Sequence, residues 1–209
     1  MLQSCVGSAL SVGIKASCSY CAAVAAVGFE RGLEYDVLKE PGKTAVQLAA
    51  RFSAVKLLAP DCKTLSRARD IANPGVPNAP RSLRSDEFPE GLPGLTPELQ
   101  KRVDLGNEMF EGAIVIADGC SNSGTGFVVE NPWRSYRWLL PKAKKLRAKP
   151  GVNFIECFNC MKGGSRFKIS GLMTDLDIED QFAEVCYNVG GICNRTGLLH
   201  DSIRPVFFG

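Results

Sequence analysis

Two places in the chain put a reactive side chain directly after a run of residues that suits a buried strand. The first is AVKLLA, residues 54–59, followed by Pro60, Asp61 and Cys62 on a loop that turns basic through Lys63, Arg67 and Arg69. The second is GFVV, residues 126–129, followed by Glu130, Asn131 and Pro132. In open parallel sheets ligands gather at the carboxyl ends of strands, so a thiol, a carboxylate and an amide there would face one rim. A thiol at such a rim is a nucleophile when ionised and otherwise a half-buried apolar group. An isolated carboxylate there is a solvated charge or a helix cap. Finding both at matching strand ends weakens the packing reading.

The remaining cysteines carry less. Nine of them in 209 residues, at irregular spacing, do not read as a disulfide framework and suit a reducing, intracellular compartment. Two C-x-x-C pairs, Cys18/Cys21 and Cys157/Cys160, would suit a tetrahedral zinc site if they met in space. More than a hundred residues separate them, so the sequence reading assigns no metal ligands. His200 is the only histidine and reads as a solvated residue, and no G-x-S-x-G elbow is present. Both facts argue against a Ser–His hydrolase. Residues 119–124 have P-loop-like glycines but lack the lysine that would follow them.

The elements around these sites alternate in type. Residues 21–29 read as a short apolar strand, residues 43–52 as a helix and residues 54–59 as a strand, which together suggest a βαβ unit and a parallel sheet. A proline- and glycine-rich loop spans residues 73–97, a length that marks a functional loop or a linker. Thr96-Pro97-Glu98 supplies a cap, a first-turn proline and an early acid for a helix running to Ile116, with a turn over residues 119–126. A second helix over residues 134–149 is strongly basic, and residues 152–157 form a further strand. The fold class expected is α/β: a Rossmann-like parallel or mixed sheet with helices on both faces and a short C-terminal extension. Residues 1–150 would form the main core and residues 151–209 its continuation. A net charge of +3 permits a nucleic-acid partner without requiring one, and no stretch is apolar enough to suggest a membrane span.

In this order, P-x-C-x-T-x-S-R-A-R, the loop PRSLRSDEFPEGLPGL, RVDLGN, FVVENPWRSYRWLLP and C-M-K-G-G-S-R-F-K-I-S, the chain resembles the cytosine-5 DNA methyltransferases. The likeness is to their divergent group in mobile elements and protists, and runs from about Tyr35 to about Gly197. It implies a cysteine thiolate that attacks carbon 6 of a cytosine, a glutamate that handles the proton at ring nitrogen 3, and S-adenosylmethionine as methyl donor. Carried over by position, Cys62 would be the nucleophile and Glu130 the acid, with Asn131 holding the glutamate loop and Arg166 steadying the base. Ser66, Arg67, Arg69 and Lys168 would contact the nucleic acid. Gly7, Glu30 and Asp36 would hold the cofactor. The partner implied is DNA, in the nucleus of a eukaryote, with a separate target-recognition or polyprotein partner because only about forty residues follow Ser170.

Departures from that pattern keep other readings open. Asp61 separates Pro60 from Cys62, and a carboxylate beside the sulfur opposes the thiolate, which Lys63 and Arg67 would offset. Ile169 and Ser170 follow Lys168 where proline and threonine are expected, and residues 1–10 offer only Gly7 for a glycine-rich turn. A methyltransferase fold that binds DNA without turnover would explain these. Asn131-Pro132-Trp133 is also similar to the N-P-P-aromatic loop of amino-methyltransferases, a chemistry that would leave Cys62 idle. Trp133, Tyr136 and Trp138 read as packing anchors rather than stacking platforms. The basic residues 81–84 and 142–149 are candidates for phosphate contact or for a solvated face.

Overall fold

The structure is a computed structural model that describes residues 55–60, 62–70 and 81–201. Strand β1 is Val55–Leu58 and helix α1 is Pro97–Ser123; β2 is Gly126–Pro132, α2 is Pro141–Arg147, β3 is Asn153–Phe158 and β4 is Ile169–Thr174. The expected strand and helix over residues 21–52, together with Gly7, Glu30, Asp36, Cys18, Cys21 and Asp61, lie outside the described residues.

The four strands form one mixed sheet in the order β1-β2-β4-β3. β1 and β2 run parallel, with Leu58 beside Val129, while β4 is antiparallel to both β2 and β3. This confirms a mixed α/β fold among the described residues. The sheet crosses residue 150, so residues 153–174 belong to the same core as residues 55–132.

α1 forms where the sequence places apolar side chains one and two turns apart: Val103, Phe110, Ala113, Ile114, Ala117 and Cys120 are its buried residues. Thr96 caps it through a bond from the Leu99 amide, and Gly124, at φ 71°, ends it in the left-handed conformation that glycine adopts without strain. The helix therefore runs past Ile116 and past Gly119, where the sequence suggests a turn. Its apolar stripe covers one face of the sheet with Leu58, Phe127, Val129 and Met173, and α2 adds Ala143 and Leu146 to that core. The opposite face is covered by the segment through Phe182, which meets Ile155, Cys157 and Leu172.

Two other expectations need correction. The helix over residues 134–149 is two pieces, a 3-10 turn at Tyr136–Leu139 and α2. Pro141 cannot continue a preceding helix and forces Leu140 into an extended conformation. The residues 81–96 are no linker: Leu83 and Arg84 are buried, and Arg84 bonds the Val103 carbonyl of α1 at 3.1 Å.

Candidate active site

Parallel pairing of β1 with β2 brings the two strand ends side by side, and a single amide locks them. Asn131 is buried, and its Nδ2 donates to the carbonyl of Pro60 at 3.1 Å and to that of Glu130 at 3.2 Å. Its Oδ1 is buried as well, and no donor among the described residues reaches it. The loop after β2 is stitched to the cysteine loop again a few residues on. The Tyr136 amide donates to the Leu65 carbonyl at 3.0 Å, and the Ser135 hydroxyl to the same carbonyl at 3.1 Å. The cysteine loop is itself a turn, in which the Cys62 carbonyl accepts from the Leu65 and Ser66 amides. Cys62 is half-buried at its start.

Glu130 is 8% exposed, which for a carboxylate requires partners. Two partners among the described residues come from the far side of β2, out of β4 and the turn before it. The Ser170 hydroxyl donates to Oε1 at 2.6 Å, and Lys168 Nζ lies 3.5 Å from the same oxygen. The register explains this: Glu130 stands beside Leu172 and Pro132 beside Ser170, so β4 carries Ser170 up to the carboxylate.

Lys168, expected as a nucleic-acid contact, is thus the acid's ion-pair partner. Arg166, expected at the base, is exposed on the turn before β4 and makes no bond to Glu130. Arg67 and Arg69 are engaged within the protein. Arg67 bonds the Arg134 carbonyl at 2.8 Å, pairs with Asp86 and lies over the Tyr136 ring at 4.3 Å. Its hydrogen bond to Asp86 raises its pKa against the effect of burial. Arg69 bonds the carbonyls of Arg81 and Lys63, and burial, then the charge of Arg102, lowers its pKa. Both arginines brace the cysteine loop, and Ser66 sits half-buried within it.

Arg84, expected as a candidate for phosphate contact, is instead buried. Its guanidinium reaches the Thr64 carbonyl at 3.0 Å, Pro89 at 2.6 Å, Val103 at 3.1 Å and the Asn107 Oδ1 at 2.8 Å. Burial lowers its pKa to about 10. Two further basic residues are paired on the surface: Lys142 with Glu111, and Lys149 with Asp118 at 2.6 Å. Trp138 is buried and donates to the Pro132 carbonyl at 2.9 Å, while Trp133 stacks on Phe154 at 4.7 Å. Both act as anchors.

His200 also departs from expectation. It is half-buried, with Nδ1 2.8 Å from the Gly191 carbonyl and Nε2 3.6 Å from Cys186 Sγ. The C-x-x-C pair at Cys157/Cys160 splits between two cores: Cys157 faces Leu172 and Phe182, and Cys160 joins Cys186 and Cys193.

No family model matches this chain, and no match was found among the curated proteins or the solved structures. Among the described residues no helix is long and apolar enough to cross a membrane.

Proposed function

We propose that this chain is a cytosine-5 DNA methyltransferase-like protein acting within an intracellular, and in a eukaryote nuclear, setting. One observation carries the reading: three stretches far apart in sequence meet at one end of the sheet. These are the cysteine loop after β1, Glu130-Asn131 at the end of β2, and Lys168–Ser170 at the start of β4. They fall within three of the five stretches on which the resemblance to the family rests.

In this reading Cys62 adds to carbon 6 of an extruded cytosine, and Glu130 handles the proton at ring nitrogen 3. Lys168 and Ser170 fix the carboxylate, and Asn131 sets the spacing between the two strand ends. S-adenosylmethionine would supply the methyl group; the residues assigned to it, Gly7, Glu30 and Asp36, lie outside the described residues. The amino-methyltransferase alternative asks Asn131 to meet the substrate amine. Its amide nitrogen is instead committed to two backbone carbonyls, which favours a positioning role.

Addition at carbon 6 labilises the hydrogen at carbon 5, and this step needs no methyl donor. The test is therefore exchange of that hydrogen with solvent in cytosine-containing DNA, alongside calorimetric titration with S-adenosylmethionine. Exchange should occur with the wild type and fall about 10²-fold or more in Cys62→Ala and Glu130→Gln. A folded wild type that binds DNA without either exchange or methyl transfer would replace this reading with that of an inactive DNA-binding module.

A further inference from the structure

After β4 the chain runs from Ala183 to Asp201 with only two buried side chains, Cys186 and Cys193. Its large apolar residues face outward: Tyr187 is 73% exposed, Val189 76%, Leu198 69% and Leu199 73%. Hydrophobic burial does not hold such a segment in place. Yet it has a defined path. The Cys193 amide donates to the Leu198 carbonyl at 2.9 Å, the Gly197 amide to Cys193 at 2.8 Å and the His200 amide to Gly191 at 2.8 Å. Arg195 Nε reaches the Cys160 carbonyl at 2.8 Å, lacing this loop to the turn after β3.

At the centre of that path one ligand atom each from Cys160, Cys186, Cys193 and His200 lie within 4.8 Å of one another. We propose that these four residues form a structural zinc site that clasps the segment after β4 onto the turn after β3. The inference stands independently of the methyltransferase reading.

The donor set and its geometry both suit zinc. Ligands at zinc distances, about 2.3 Å for sulfur and about 2.0 Å for nitrogen, stand roughly 3.5 Å apart around a tetrahedral ion. Cys186 Sγ and His200 Nε2 are 3.6 Å apart. The imidazole is already oriented as a ligand. The Gly191 carbonyl can only accept, so Nδ1 carries the proton and Nε2 turns its lone pair toward the thiols. Three soft thiolates and an imidazole select zinc over hard cations, and four protein ligands close the shell, as a structural site requires. The clasp also bears on Glu130. Cys160 lies in the turn that returns as Lys168 and β4, and the Asn159 amide bonds the Lys168 carbonyl at 2.9 Å.

Full-length protein, expressed with zinc and purified without chelator or metal-affinity steps, is assayed by elemental mass spectrometry. About one zinc per chain is expected. Cys186→Ser and Cys193→Ser should lose it at least tenfold, whereas Cys157→Ser and Cys120→Ser should keep it. Cobalt exchanged into the wild type should show intense tetrahedral, thiolate-ligated absorption. His200→Cys should retain the metal and shift that spectrum toward the four-thiolate form. Where a serine variant fails to fold, the cobalt spectrum of the wild type decides. A folded, metal-free wild type, a disulfide among the three cysteines, zinc retained in both Cys186→Ser and Cys193→Ser, or a weak octahedral cobalt spectrum would each overturn the proposal.

Discussion

Arg84 shows how much of this molecule rests on single side chains. Every nitrogen of its guanidinium meets an oxygen, and those oxygens belong to the cysteine loop, the loop before α1 and α1 itself. Removing the side chain leaves buried acceptors without donors, so Arg84→Ala should cost about 3–5 kcal/mol, read by urea unfolding. Arg81, in the same loop and of the same charge, is exposed, and its replacement should change stability by less than about 0.5 kcal/mol. Nothing in the sequence separates the two arginines; only the approach of α1 does. Cys62 and Glu130 stand out in the sequence because residue type and position after a strand coincide. The partners of Glu130 were not, because they depend on strand pairing across forty residues. Tyr136 carries a titration. Its hydroxyl donates to Asp70 at 2.7 Å, and burial, then the Asp70 bond, raises its pKa above the ordinary value of 10.0. The neutral phenol is therefore favoured in the fold. Its contribution is complete below pH 10 and is lost as pH rises through the folded pKa, because the unfolded chain releases its proton first. Tyr136→Phe should cost about 1–2 kcal/mol at neutral pH and show a shallower loss of stability above pH 10 in paired denaturation curves.

Elements divide in the same way between what is local and what is not. The start of α1 was readable from Thr96-Pro97-Glu98, because capping is local chemistry. Its end was misplaced because Gly119 looks like a turn, yet a glycine with open space around it is merely a weak helix residue. β4 was missed altogether: Ser170 and Gly171 break the apolar run, and only pairing on both sides makes it a strand. The glycines of α1 separate propensity from packing. At Gly106 an added Cβ would stand 2.6 Å from Thr64 Oγ1 and 3.1 Å from Leu65 Cδ1, so the cysteine loop closes on the helix only because no side chain intervenes. At Gly112 nothing lies within 4 Å. Gly112→Ala should therefore stabilise the protein by about 0.5–1 kcal/mol, whereas Gly106→Ala should destabilise it by about 1–3 kcal/mol despite the same gain in helix propensity. Chemical denaturation of the two variants side by side checks both signs.

For the molecule as a whole, the last strand among the described residues lies inside the sheet. β4 follows β3 in the chain but sits between β2 and β3, so β3 has no partner, and β2 only β1, until Ile169–Thr174 arrives. A chain cut after residue 150 would hold β2 with one edge bare from Val128 to Pro132 and Glu130 without Ser170 or Lys168. Bare strand edges invite pairing with other chains. That fragment should be found in the insoluble fraction on expression, under conditions where the chain through residue 209 is soluble. The same arrangement bears on synthesis. A nascent chain emerging from the ribosome exposes the unpaired flank of β2 throughout the translation of β3, a window in which chaperones and proteases can engage it. Messages with a premature stop before residue 174 would thus yield products that cellular quality control identifies by that open flank, and the Cys62 loop would be cleared with them.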